Sequence, residues 1–169
     1  MRTKMMRVMV VLALVLMIER ANAAEFEKAG SAIASALGTP KAFQKKFKND
    51  KGQDVTVFYA KGSSGSPSKL AFLEKGLYNP GECTHTWVIG LNATTQAVED
   101  VRVVEMSCTH AHPTKAASYI SQYKGKGPAD VKKLKDKIKT IAKATGSSDL
   151  MTEAVQRSIE NAIQVRGKL

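Results

Sequence analysis

The sequence predicts an α+β domain, a small antiparallel sheet flanked by N-terminal and C-terminal helices, and two observations carry that reading. Short β-rich runs separated by turn formers occupy the middle of the chain, and apolar residues recur at helical spacing at both ends. In order, Phe26, Ala29, Ile33 and Leu37 share one helical face ahead of Gly38-Thr39-Pro40, a glycine stop followed by a proline that prevents continuation. The run Asp54 to Tyr59 reads as a strand, ended by the turn formers from Lys61 to Pro67, and Lys69 to Leu73 reads as its partner. Thr84 to Leu91 and Val98 to Met106 form an expected antiparallel hairpin around the polar loop Asn92 to Gln96. Pro113 suits the first turn of a helix carrying Ala116, Tyr119, Ile120 and Tyr123 and stopped near Gly125. A last helix, predicted from about Asp149, turns Met151, Val155, Ile159, Ala162 and Ile163 inward and leaves Glu153, Gln156, Arg157 and Glu160 outside.

The start of the chain reads as an address. Arg2, Lys4 and Arg7 precede an unbroken apolar run from Val8 to Ile18, followed by the small-x-small pattern Ala21-Asn22-Ala23 of a signal-peptidase site. That run is shorter than the roughly 20 residues a spanning helix needs, so residues 1–23 are expected to be a cleaved signal peptide rather than an anchor. The remaining stretch, 24–169, is sized for a single domain, and the expected location is secreted or periplasmic.

The chain carries a formal net charge of +11. In an exported protein such a balance points away from nucleic acid and towards an acidic protein surface or anionic membrane lipid. The lysines concentrate between Lys124 and Lys143, where Lys132, Lys133, Lys135, Lys137 and Lys139 alternate with Val131, Leu134, Ile138 and Ile141 at helical spacing. The segment is expected to pack its apolar stripe inward and to offer those five lysines for docking. A second basic patch, Lys41, Lys45, Lys46, Lys48 and Lys51, surrounds Phe43 and Phe47.

Cys83 and Cys108 flank the predicted hairpin, and an oxidising compartment favours a disulfide between them. The alternative is a metal site, because Cys83 with His85 and Cys108 with His110 would each share a strand face. The chain contains no C-x-x-C-H, G-x-S-x-G or H-E-x-x-H sequence, so covalent c-type haem and the common hydrolase chemistries find no footing.

Ala144-Thr145-Gly146-Ser147-Ser148 is a small, hydroxyl-rich run placed directly before the last helix. Helix first-turn N–H groups lack intrahelical partners, and hydroxyls beside them add donors, so such a run is suited to an anion. The plainer reading makes Ser147 or Ser148 an N-cap.

With KGLYNPG at Lys75 to Gly81, YISQYKGK at Tyr119 to Lys126 and KATGSSDLMTEAV at Lys143 to Val155, the chain resembles the FMN-binding domain family of flavoprotein subunits in ion-pumping quinone reductases and of small exported electron carriers. The resemblance implies that Thr145, Gly146, Ser147 and Ser148 receive the flavin phosphate, with Thr109 as a further contact, and that FMN is the cofactor if there is one. The family's serine and glycine before Ala-Thr stand here as Ala142 and Lys143, an aspartate of its attachment signal as Lys139, and the glutamate before its hairpin-end threonine as Cys108. Covalent attachment is therefore not expected. The expected function is that of a non-catalytic accessory or assembly subunit of an acidic redox complex, with a degenerate flavin site and no stable membrane anchor after signal cleavage. The alternative is a non-covalent FMN electron carrier.

Overall fold

The structure, a computed structural model, describes residues 29–79 and 83–169; the expected signal peptide and Phe26 lie outside them. A helix α1 over 29–37 precedes five strands, β1 Phe43–Lys48, β2 Asp54–Lys61, β3 Pro67–Tyr78, β4 Cys83–Asn92 and β5 Val98–Met106. The strands form one antiparallel meander in the order β1-β2-β3-β4-β5. Two one-turn helices follow, α2 Ala117–Ile120 and α3 Leu134–Lys137, and then α4 Thr145–Val165, 21 residues long. The α+β class is as the sequence predicts.

Strand alternation splits the core into two layers. On one face of the sheet Ala60, Ala71 and Val88 pack against Ile33, Ala36 and Leu37 of α1. Gly90 belongs to this face: a Cβ on it would stand 3.1 Å from that of Ala36, so the glycine lets the helix lie close. On the other face Leu70, Phe72, Trp87 and Ile89 meet Met151, Val155, Ile159 and Ala162 of α4. Full burial of side chains such as Met151 and Ile159 is worth roughly 1.5–3 kcal/mol each. That outweighs the penalty of about 1 kcal/mol for a glycine in the first turn of α4. Packing, not propensity, holds α4. Ile163 departs from the expected stripe: it is 45% exposed, and Val165 takes its place inside.

Three further elements differ from expectation. Phe43 to Lys48 is not merely a basic patch but an edge strand, pairing Phe43 with Tyr59 and Phe47 with Val55. The alternation of Phe43, Lys45 and Phe47 is its trace in the sequence. The segment after Cys108 is not one helix from Pro113. It is a 3-10 stretch Thr109–Lys115, the single turn α2 and a 3-10 turn Ser121–Tyr123, because Ala116 adopts an extended backbone that interrupts the ladder. The lysine-rich segment likewise condenses to a 3-10 turn Val131–Lys133 and α3, with Leu134 and Ile138 buried and the lysines exposed. Among the described residues no helix is long and apolar enough to cross a membrane.

Candidate functional site

β3, β4 and α4 converge on the amino end of α4. Helix α4 begins at Thr145, four residues earlier than expected, so the hydroxyl run is its first turn and not its cap. Ala144 is the N-cap and supplies no side-chain bond, and the first intrahelical bond runs from Ser148 N–H to Ala144 C=O at 2.9 Å. The N–H groups of Thr145, Gly146 and Ser147 stand outside the ladder at the positive end of the dipole. The residue that turns the chain into the helix is Lys143, whose φ of +66° lies in the left-handed region that favours glycine. Lys143 thus stands where the backbone calls for a glycine.

A cleft of about 350 Å³ opens beside this turn, lined by Tyr78, Cys83, Cys108, His110 and the residues Lys143 to Ser147. Cys83 and Cys108 are joined by a disulfide with Cα atoms 5.5 Å apart, and no cluster of His, Cys, Asp or Glu able to hold a metal ion occurs among the described residues. His85, on the same face of β4 as Cys83, is 1% exposed, stacks on Trp87 with centroids 5.3 Å apart, and meets Ser147 Oγ through Nε2 at 3.0 Å. Burial holds its pKa below the ordinary 6.5, so the imidazole is neutral at pH 7.

The hydroxyls of the run are mostly committed inward. Ser147 bonds His85. Ser148 donates to Ala144 C=O at 2.9 Å and accepts from Ile141 N–H at 3.3 Å. The Ser148 carbonyl in turn accepts from Tyr119 and Thr152, and Tyr123 bridges those two hydroxyls at 2.9 Å each. This network of buried hydroxyls fixes the first turn from behind. Thr145 alone keeps its side chain exposed. Over the turn lies the Tyr78 ring: a Cβ on Gly146 would fall 2.1 Å from its Cε2, so the glycine is what lets the ring sit there.

A flavin phosphate at this turn would need the place Tyr78 takes and hydroxyls that are engaged elsewhere. The residues present do not fit the group. Thr109 begins the 3-10 stretch, exposed beside Cys108, and Ser148 is fully buried; neither lines the cleft. Sequence reasoning had not assigned Tyr78 or the Ser147–His85 bond. The signal for Tyr78 was its two-residue spacing from Gly76, since strand alternation puts both on the α4 face with Trp87.

Of the five docking candidates, Lys135 bonds Glu153 at 2.7 Å and Lys137 pairs with Asp130, whose carboxyl the Lys137 bond holds below the usual range. Lys132, Lys133 and Lys139 are exposed and form no ion pair among the described residues. All five lie on the same run of chain, and none of them lines the α4 cleft.

No family model matches the chain, and neither does any curated protein sequence. Among solved structures the chain is similar to the crystal structure of Shewanella oneidensis NqrC, with 17% identity and a TM-score of 0.47, over 78% of this chain and 73% of that one.

Proposed function

We propose that this chain is an exported, FMN-binding-domain-like protein that works without flavin, as a non-catalytic accessory or assembly subunit of an acidic redox complex. The observation that carries the reading is the Tyr78 ring seated on Gly146, which fills the turn that the resemblance reserves for a flavin phosphate. With the cofactor place closed, the feature left to explain is charge. Lys132, Lys133 and Lys139 project from a segment anchored by buried Leu134 and Ile138, a rigid basic ridge rather than a loose tail. Such a ridge steers association with a negative surface.

The competing reading, a non-covalent FMN carrier, draws on the first-turn N–H groups and on Lys143 beside the cleft. It requires Tyr78 to swing out.

Docking is tested with Lys132, Lys133 and Lys139 changed to glutamate together. Binding to an acidic redox partner captured from the native membrane or periplasm is expected to weaken by about tenfold or more at low salt. Most of the loss should fall in the association rate, and the difference should shrink steeply as salt is raised. Equal association rates at low salt for the variant and the parent would remove the ridge from the account. Lys135 and Lys137, already paired within the chain, are expected to contribute less when changed one at a time.

A further inference from the structure

We propose that the Cys83–Cys108 disulfide is a thiol–disulfide exchange site, which takes two electrons from a dithiol by attack at Cys108. This goes beyond the docking reading and does not depend on it.

Four observations converge. The bond is not sealed in the core, since both cysteines line the α4 cleft. Its two ends are unequal: Cys83 is 1% exposed, whereas Cys108, in the loop after β5, is half-buried in the cleft wall. An incoming thiolate therefore reaches the Cys108 sulfur and makes Cys83 the leaving group. The same cleft wall carries Lys143 and the unladdered N–H groups of Thr145, Gly146 and Ser147, a setting that stabilises a thiolate. Behind Cys83 stands a hydrogen-bonding neighbour, His85 Nε2 at 3.8 Å from its Sγ and 3.0 Å from Ser147 Oγ.

The chemistry balances as follows. A thiolate of the dithiol attacks Cys108 Sγ, and the electron pair of the Cys83–Cys108 bond leaves on Cys83 Sγ. The neutral His85 ring can donate a hydrogen bond from Nε2 to that sulfur, which takes its proton from solvent through the cleft. The second thiol of the reductant, as thiolate, attacks its own sulfur in the mixed disulfide and expels Cys108 as a thiolate, held by Lys143 and the helix end. The dithiol ends as a disulfide and gives up two protons, one of which is recovered on Cys83, so the protein gains two electrons and one proton while Cys108 remains a thiolate.

The experiment uses the full chain without denaturant and dithiothreitol as the probe. Reduction, followed by alkylation and mass shift, is expected to rise in proportion to dithiothreitol concentration, at a rate no slower than that of oxidised glutathione in the same buffer. A rate that levels off at the unfolding rate, independent of dithiothreitol, would mean a purely structural staple and overturn the proposal. A second arm uses Cys83→Ala, which leaves Cys108 alone in the cleft. Its reaction with an aromatic disulfide at pH 6 should exceed that of free glutathione by about threefold or more, the gain in thiolate being partly offset by lower nucleophilicity. Adding Lys143→Asn, which tolerates the left-handed backbone, should slow that reaction about two- to fivefold. A Cys108 no more reactive than glutathione would contradict the assignment. The wild-type arm stands whether or not the variant folds.

Discussion

Trp87→Ala is expected to destabilise the protein by about 3–5 kcal/mol, enough to unfold much of the population at growth temperature. Trp87 is fully buried at the centre of the α4-side core, where it pairs across the sheet with Glu74 and Val103, stacks on His85 and lies flat over Gly76. A Cβ on Gly76 would fall 2.9 Å from the indole, so the glycine of the Lys75-Gly76-Leu77-Tyr78 run is the floor on which the ring rests. Removing the ring leaves a large void between β3, β4 and Leu150, and also frees His85, the partner of Ser147. Trp87→Phe should cost well under half as much, because Trp87 Nε1 is buried without a hydrogen-bond partner among the described residues and phenylalanine has no such donor to strand. Urea melts of the two variants decide the matter: similar losses would mean that the indole, not the filled volume, is what matters.

Arg157→Ala should cost about 2 kcal/mol near neutral pH and distinctly less at acid pH. Arg157 on α4 reaches Glu74 on β3, with Nε and Nη2 each 3.0 Å from Oε2, and Ser158 adds a bond to Oε1 at 3.3 Å. The Glu74 side chain is only 12% exposed. Burial raises its pKa above the ordinary 4.5, and Arg157 is the main influence pulling the other way. A carboxyl whose folded pKa is raised contributes stability that is complete below its unfolded pKa and lost as pH climbs through the folded one. Without Arg157 the folded value climbs further, so the loss continues to higher pH and grows. The cost of the substitution must therefore increase as pH climbs through the parent's raised folded value, above the ordinary 4.5, and a cost that is flat with pH would mean that Glu74 is not the group involved.

Much of this architecture could be read from residue order, and the parts that could not fail for identifiable reasons. Strands β2, β4 and β5 announce themselves through β-branched runs bounded by turn formers, and the hairpin places Cys83 and Cys108 where a disulfide closes. β1 is obscured because its lysines read as a patch, although the phenylalanines between them keep strand alternation. The helix expected after Pro113 is broken at Ala116 by an extended backbone that no propensity signals. The start of α4 was misplaced because hydroxyl residues are good caps, yet here Ser148 folds its Oγ back onto Ala144 and lets the helix begin earlier. The hydroxyl run does face a cleft, as its composition suggests. What composition hides is that Tyr78, distant in sequence, is brought by β3 onto Gly146 and occupies the turn.

That seat of Tyr78 links fold to function. The same meander that stacks Gly76 on Trp87 carries Tyr78 to the helix end, and Lys143 puts a cation at a left-handed backbone position that favours glycine. The α4 cleft is lined by the disulfide and His110, with His85 buried behind Cys83, and the lysines around α3 stand exposed. The measurement that bears most directly on this account is the visible spectrum of the chain purified from its native compartment, followed by titration with FMN. The account predicts a colourless protein, lacking the flavin bands on the order of 370 and 450 nm, and no saturable quenching of FMN fluorescence at micromolar concentrations. A yellow protein, or tight saturable binding that is lost in Ser147→Ala and strengthened in Tyr78→Ala, would contradict it and return the chain to the flavin carriers.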